Sequence, residues 1–216
     1  MKEFLTRLLI LIFGLFIFSA GIVLTINANI GYAPWDVFHV GLSYAAGMSI
    51  GTASIITGLV IVAFVVLCGE KIGIGMILNA VLIGVFIDLI MGSGLIPVAD
   101  HFFISMAMLI FGLFTLSVGS YLYIKSAFGA GPRDSLMVLA RRKTNLPVGV
   151  CRSAVELSAT LVGWLLGGMV GIGTVIIIVS IGFCIQITFA VFKFDVAAVK
   201  HETLKDTIDF IVKAKV

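Results

Sequence analysis

Long apolar stretches, separated by short polar connections, dominate the pattern of this chain. Six of them reach the roughly 20 residues that an α-helix needs to cross the hydrocarbon core of a membrane. These stretches cover residues 5–27, 50–68, 72–92, 103–125, 148–167 and 171–192. The pattern therefore predicts six transmembrane helices and an all-α membrane protein.

Two shorter segments, residues 36–47 and 134–145, follow the first and the fourth stretch. As a helix, each would rise only about 18 Å, whereas the hydrocarbon core is about 30 Å thick. The two segments are therefore predicted to be half-helices. They either re-enter the membrane or lie at its two interfaces, and the sequence leaves both arrangements open.

The pattern changes in the tail, residues 193–216, where charged residues become frequent. The apolar residues Leu204, Ile208 and Ile211 recur there at helical intervals, and charged residues occupy the other face. This spacing predicts an amphipathic helix that lies on the membrane surface or against the helix bundle.

The first half of the chain recurs in the second half at a spacing of 98 residues. The string LIFGLF occurs at residues 11–16 and again at 109–114. The motif Gly-x-x-Pro-x-Asp occurs at residues 31–36 and again at 129–134. Such ungapped agreement predicts a tandem duplication.

Each copy of the repeat contains three predicted crossings, which is an odd number. The second copy must therefore enter the membrane from the opposite side, and we predict an inverted-topology repeat. Transporters built in this way form their binding sites between the copies, near the membrane midplane. The predicted division is a first repeat over residues 1–98, a second over 99–192 and the tail over 193–216.

The repeated motif reads GYAPWD in the first copy and GAGPRD in the second. Proline is favoured in the first helical turn because its missing N–H would be unpaired there. The aspartate two residues later faces the positive end of the helix dipole. If the half-helices re-enter, both N-termini point at a shared site that favours an anionic group.

Ten residues of the half-helices and of the spanning stretches are candidate contacts for a solute. Arg152 and Glu156 share one helix face. They either form a pair that links helices, or Glu156 is a proton or cation site and Arg152 is its gate or an anion contact. His39 shares a face with Asp36, and it is either simply solvated or carries protons. The full set is Pro34, Trp35, Asp36, His39, Asn79, Pro132, Arg133, Asp134, Arg152 and Glu156. For Asn79, as for Asp88, a hydrogen bond between helices is the simpler role.

Composition excludes a soluble domain. Of the 216 residues, 61% are hydrophobic and 12% are charged, whereas a soluble domain carries about 25% charged residues. The three cysteines lie singly, without the spacing of a metal site. Neither an ATP-binding motif nor a catalytic constellation is present in the sequence. We therefore expect no enzyme activity, no metal, no cofactor and no nucleic-acid partner.

Among the connections between the predicted helices, lysine and arginine occur only in alternate ones. They precede the first predicted helix, separate the second from the third, and follow the fourth and the sixth. The other connections contain none. Because cytoplasmic loops carry the excess of basic residues, this pattern predicts that both termini are cytoplasmic.

Three segments carry a family resemblance: ANIGYAPWDVFHVGLS, SIGTASIITGLV and GEKIGIGMILNAVLIGVFID. They resemble the YczE/YyaS/YitT group of bacterial integral membrane proteins, most closely its YczE-like branch, over about residues 5–192. The resemblance implies a multi-pass protein of the bacterial plasma membrane and implies no substrate. The second copy departs from the first by having Arg133 where the first has Trp35.

These observations predict a secondary transporter or exporter of a small solute that works by alternating access. One alternative is an accessory or scaffold protein that uses the basic segment 133–143 and the tail to hold a cytoplasmic enzyme or another transporter. A channel open to both sides is a third. The expected partners are the lipid bilayer, a small-molecule solute, and either a second copy of the chain or a cytoplasmic protein.

Overall fold

The computed structural model describes residues 2–199 and 201–213, which form α-helices joined by short connections. No β-strand occurs within these ranges. The helices are α1 Lys2–Asn27, α2 Pro34–Ala46, α3 Ile50–Leu67, α4 Ile74–Ser93, α5 Phe102–Lys125, α6 Pro132–Thr144, α7 Val148–Leu165, α8 Ile172–Val191 and α9 Leu204–Lys213.

Six of these helices, α1, α3, α4, α5, α7 and α8, are long and apolar enough to cross a membrane. Large apolar side chains are exposed on their outer faces; Leu67 and Phe103, for example, are each 86% exposed. Such a surface is suited to lipid and not to water. The predicted six crossings are confirmed, and the protein is an all-α, multi-pass membrane protein.

α1 and α5 pack against each other at the centre of the molecule through glycines. A Cβ atom added at Gly14 would lie 2.8 Å from the Leu122 Cβ, and one added at Gly112 would lie 2.8 Å from the Thr25 Cγ2. Small residues allow helix backbones to approach this closely within a membrane. Gly14 and Gly112 are 98 residues apart, so the contact occurs twice at the spacing of the sequence repeat.

The two half-helices, α2 and α6, begin at the prolines of the repeated motif. Pro34 and Pro132 lie in the first turn, where no N–H is required. Each helix is preceded by a glycine with positive φ, 120° at Gly31 and 114° at Gly129. Residues with a Cβ rarely adopt this conformation, which explains the glycine of the motif.

The turn before each half-helix is held by the other half of the chain. The Gly75 N–H donates to the Phe128 carbonyl at 2.9 Å, and the Gly173 N–H donates to the Ile30 carbonyl at 2.7 Å. Gly75 and Gly173 open the last spanning helix of each copy, and all four positions correspond at a spacing of 98. The two copies thus exchange equivalent hydrogen bonds.

The start of α1 and the tail lie at one end of the bundle, which we call the termini end. Arg7 forms an ion pair with Glu202. The Glu202 N–H donates to the Ala127 carbonyl at 2.8 Å, and the Leu204 N–H donates to the Ile72 carbonyl at 2.7 Å. The predicted tail helix is present as α9. The side chains of residues 208 and 211, which belong to its predicted apolar face, lie outside what the structure describes.

The start of α7 and the end of α8 also lie at the termini end. Arg142, in the last turn of α6 and shortly before α7, donates to the Cys68 carbonyl at 2.8 Å and pairs with Glu70. Phe192, just after α8, stacks on Tyr121 with 4.5 Å between ring centres. The opposite end of the bundle, which we call the far end, therefore holds the connections that follow α1, α4 and α7.

Candidate functional site

The N-termini of α2 and α6 meet at a cavity of about 320 Å³, which we call the main cavity. The guanidinium carbon of Arg133 lies 5.1 Å from the ring centre of Trp35, within cation–π distance. Ile83, at the middle of α4, lines the same space. The two half-helices thus direct their N-termini towards a common interior site, as the re-entrant arrangement requires.

The structure brings the ten predicted contact residues together, although their role in binding stays a prediction. The candidates that line the main cavity are Pro34, Trp35, Asp36, Asn79, Pro132, Arg133, Asp134, Arg152 and Glu156. His39, the remaining candidate, lines a small cavity of about 20 Å³ next to it, together with Asn79 and Arg133.

Asp36 and His39 are the most deeply buried polar pair of the site, at 3% and 1% exposure. The Asp36 Oδ1 lies 3.7 Å from the His39 Nδ1, too far for a hydrogen bond. Neither atom has a hydrogen-bond partner among the residues that the structure describes. Leaving such groups unsatisfied is costly, so this pair requires an explanation.

Three other charged side chains of the main cavity, Asp134, Arg152 and Glu156, have hydrogen-bond partners. Asp134 accepts a hydrogen bond from the Tyr123 hydroxyl at 3.0 Å. Arg152 donates to Glu156 at 2.8 Å, and the Arg152 side chain is half-exposed. The lining of the main cavity contains three carboxylates, of Asp36, Asp134 and Glu156, and two guanidinium groups, of Arg133 and Arg152. Its formal charge is therefore negative when His39 is neutral. Within the described ranges, no group of three His, Cys, Asp or Glu side chains could hold a metal ion.

Two polar residues of α5, Ser120 and Tyr123, line the main cavity and were not predicted from the sequence. Their counterparts in the first copy are Ile22 and Thr25, so the repeat gives no indication of them. The sequence feature that could have identified Ser120 and Tyr123 is their spacing. Two polar side chains three residues apart share a face of an otherwise apolar helix.

The main cavity and the small cavity occupy equivalent places in the two halves of the chain. Of the ten residues that line the small cavity, nine have a counterpart 98 residues away that lines the main cavity. The pairs are His39 and Met137, Ser54 and Arg152, Thr57 and Val155, Gly58 and Glu156, Asn79 and Ile177, Ala80 and Ile178, Ile83 and Ile181, Pro132 and Pro34, and Arg133 and Trp35. The two cavities differ in size because the helices around them are packed differently.

The seam between α3 and α4 is closed at the far end. A Cβ added at Gly51 would overlap the Gly84 carbonyl and the Asp88 carboxylate. The Gly51 N–H donates to Asp88 at 2.8 Å, and the Ser49 hydroxyl donates to the other carboxylate oxygen. Asp88 therefore joins the two helices, as expected from its polarity within a span.

The equivalent seam between α7 and α8 is open at the termini end. Gly149 and Gly182 correspond to Gly51 and Gly84, yet a Cβ added at either would meet no described atom within 4 Å. Residues from both sides of this gap, Arg152 and Glu156 on α7 and Ile185 on α8, line the main cavity. The main cavity therefore extends into the open seam.

A larger groove of about 580 Å³ lies between α3 and α7 and is lined by α2 residues such as Phe38 and Leu42. Apart from Thr57 and Ser158, its lining is apolar. It offers no charged contact, so its size alone does not make it the better candidate for binding a polar solute.

The tail lies within electrostatic reach of the main cavity. Partial burial lowers the pKa of the His201 imidazole, while the negative charge of Asp134 opposes that shift. The backbone carbonyl of the next residue, Glu202, approaches Gly73 at the start of α4. The tail therefore contacts the helix ends that surround the site at the termini end.

Comparison with known proteins supplies the family. The model described as "Family of unknown function (DUF6198)" matches residues 5–189. The chain belongs to the DUF6198 family. No solved structure matches this DUF6198 protein significantly.

Three bacterial relatives of this DUF6198 protein have uncharacterised functions. The membrane protein YczE of Bacillus subtilis (strain 168) is 37% identical over 175 residues, which cover 80% of each chain. A Haemophilus influenzae protein is 33% identical over 177 residues, covering 82% of this chain and 80% of the relative. YyaS of Bacillus subtilis is 25% identical over 180 residues, covering 81% of this chain and 88% of the relative. The expected resemblance to YczE and YyaS is confirmed.

Proposed function

We propose that this DUF6198 protein is a secondary transporter that moves a small solute across the bacterial plasma membrane by alternating access. One observation carries the proposal: equivalent residues of the two halves line a main cavity of about 320 Å³ and a small cavity of about 20 Å³. A transporter that opens to one side at a time needs two such cavities, of which one is collapsed.

An inverted repeat accounts for this inequality. Two units related by a pseudo-two-fold axis exchange equivalent contacts, as Gly75 with Phe128 and Gly173 with Ile30 do. Three crossings in each unit place that axis in the plane of the membrane. In such a protein, the other state is reached when each copy adopts the arrangement of its partner.

The two seams define the state of the protein. The α3–α4 seam is closed at the far end, and the α7–α8 seam is open at the termini end. With the termini in the cytoplasm, as the basic residues predict, the proposed state of this arrangement is inward-open. In the outward-open state, Gly149 would pack against Gly182, and Gly51 would separate from Gly84.

The proposed solute is small and carries an anionic group. Arg133 forms no ion pair with any described residue, so its guanidinium is available to a carboxylate or phosphate group. The converging N-termini of α2 and α6 favour the same charge. The surrounding carboxylates favour a solute that also has a cationic or hydrogen-bond-donating part.

The test is solute flux into liposomes that contain the purified full-length protein. Amino acids, small carboxylates and uncharged sugars are supplied in turn, and the transported charge or label is measured. We expect saturable uptake of at least one anionic or zwitterionic solute, and its loss in Arg133→Gln. Arg142→Gln is the matched control, because Arg142 lies on the same helix but pairs with Glu70 outside the main cavity. Failure of every solute to show saturable uptake would contradict the proposal.

The two other functions considered from the sequence are less well supported. A scaffold needs no charged interior cavity, and residues of the tail are already used in contacts with Arg7, Ala127 and Ile72. A channel open to both sides would not need the closed seam at the far end. Deleting residues 195–216 tests the first alternative: a soluble partner that co-purifies with the full chain and is lost on this deletion, in a protein without saturable flux, would favour a scaffold.

A further inference from the structure

We propose that Asp36 and His39 form the binding site for the proton that drives transport, and that the proton is shared between the Asp36 Oδ1 and the His39 Nδ1. This inference rests on the proposed transport function and names the coupling ion. The two residues lie one turn apart on α2, so the helix itself fixes their separation.

The geometry of the pair corresponds to a site from which one proton is missing. An ionised carboxylate oxygen only accepts hydrogen bonds, and an unprotonated imidazole nitrogen does the same. The two atoms face each other at 3.7 Å, and no described residue bonds either of them. A proton taken from water in the cavity would make the nitrogen a donor to the carboxylate. This single step would satisfy both buried atoms and change the charge of the pair from negative to neutral.

The pair also stands between the two cavities. Asp36 lines the main cavity, and His39 lines the small cavity. A site of about 10–15 Å³ is enough for a water molecule, and the small cavity has about 20 Å³. A proton bound from one cavity can therefore be released towards the other when the seams exchange their states.

Other helices surround the pair with a defined set of groups. The ionisable ones that line the adjoining cavities are Arg133 and Asp134 of α6, Tyr123 of α5, and Arg152 and Glu156 of α7. The contributions of α3 and α4, Ser54, Thr57 and Asn79, are uncharged. Arg133 is the group that links the proton to the solute, because its positive charge opposes protonation of the neighbouring pair.

Neutralisation of Arg133 by an anionic solute would remove this opposition. The proton would then bind more tightly when the solute is bound. By thermodynamic reciprocity, the solute would gain the same factor in affinity when the proton is bound. The arrangement therefore favours movement of proton and solute in the same direction.

The test measures the protonation of His39 directly by NMR of full-length protein labelled at histidine and reconstituted in lipid nanodiscs. The chain has only three histidines, so His39→Gln assigns the signal. We expect one transition of the His39 imidazole between about pH 5 and 8. Asp36→Asn should lower its midpoint by about 1 to 3 pH units, because a nearby opposite charge has been removed.

Asp134→Asn is the matched control, since it removes an equal charge from the same cavity but from a carboxylate bonded to Tyr123. It should move the midpoint less than Asp36→Asn does. A wild-type His39 without any transition in this range would overturn the proposal, whether or not the variants fold. A midpoint insensitive to Asp36→Asn would do so as well. A midpoint displaced by sodium chloride, but not by choline chloride, would show that the site takes a metal cation.

The two proposals fail in different experiments. Proton binding is measured without any solute, and solute flux is measured without observing histidine. A titrating His39 in a protein without saturable flux would contradict transport alone. Saturable flux that ignores an imposed pH gradient, with a His39 that does not titrate, would contradict only the proton site.

Discussion

At the scale of single residues, the contact between Trp35 and Arg133 distinguishes this site. The two residues occupy the same position of the repeated motif and touch each other, so they lie where the two copies meet. Two tryptophans there would give an apolar centre, and two arginines would repel each other. The difference between the copies gives the centre a guanidinium held against an aromatic ring.

Replacing Trp35 tests that contact. We expect Trp35→Leu to lower the stability of the protein by about 1 kcal/mol, the typical contribution of a cation–π pair, and to weaken solute binding. Trp35→Phe, which retains a ring, should lose less of both. Thermal unfolding in detergent and the KM of uptake are the measurements. Equal losses in both variants would mean that the ring face does not hold Arg133.

The pair of Arg152 and Glu156 permits a second test, which separates its two sequence-based interpretations. The side chains of Arg152 and Glu156 are 50% and 26% exposed, and exposed ion pairs contribute about 0–1 kcal/mol to stability. We therefore expect Glu156→Gln to fold normally and to reduce solute flux. Thermal unfolding and solute flux, measured on the same variant, distinguish the two interpretations. A drop in stability with unchanged flux would mean that the pair only links helices.

At the scale of helices, the two equivalent seams behave differently with the same glycines. Gly51 and Gly149 are counterparts, as are Gly84 and Gly182, but only the α3–α4 seam is packed. Asp88 adds hydrogen bonds to the packed seam, whereas its counterpart is Gln186 and that of Ser49 is Pro147. The closed seam at the far end is therefore held by hydrogen bonds to Asp88 that have no counterpart at the termini end.

Alanine at the two seam glycines should have opposite signatures. Gly51→Ala puts a methyl group against the Gly84 backbone, so we expect it to cost about 1–3 kcal/mol. Gly149→Ala meets open space, so stability should be unchanged. Solute flux through the Gly149→Ala variant should nevertheless fall, because the added methyl group would obstruct closure of the α7–α8 seam. Thermal unfolding and uptake rates measured on both variants check this, and full activity of Gly149→Ala would argue against seam exchange.

Removing the hydrogen bonds of Asp88 should shift the equilibrium between the inward-open and the outward-open state. A hydrogen bond to a charged group contributes about 1.5–3 kcal/mol, so Asp88→Asn should favour the outward-open state by roughly 30-fold. The readout is maleimide labelling of Ile55→Cys, next to Gly84, in a background without native cysteines. Gln186→Glu serves as the comparison and should not increase that labelling.

At the scale of the whole molecule, the arrangement of the termini fixes the expected orientation. Arg7 and Glu202 hold both chain ends at one end of the bundle. His101 lies between α4 and α5 at the far end, and Lys143 lies in the last turn of α6 at the termini end. In intact cells, an impermeant thiol reagent should label His101→Cys and should reach Lys143→Cys only after the membrane is opened. The reverse result would place the termini outside.

Much of this architecture was available from the sequence because it depends on local patterns. Spanning length gave the six crossings, and the proline motif gave the starts of α2 and α6. The proximity of Asp36 and His39 follows from helical spacing. The contact of Trp35 with Arg133 and the hydrogen bond of Tyr123 to Asp134 depend on how distant segments pack, which no local pattern specifies. The open and closed seams contain the same glycines, so the glycine pattern alone does not predict which seam is packed. The hydrogen bonds of Asp88 to Ser49 and Gly51 occur in the packed seam only.

The tail connects the two copies in a way that the repeat does not reproduce. Through Glu202 and Leu204 it ties the turn before α6 to the residue ahead of α4, and the turn before α2 lies at the opposite end of the bundle. If the copies move as proposed, motion at the termini end must break or rearrange these contacts, because the tail is bonded to both copies there. The transitions between the two states would then differ in rate. A bulky domain fused after residue 216 would slow the transition in which the tail contacts rearrange.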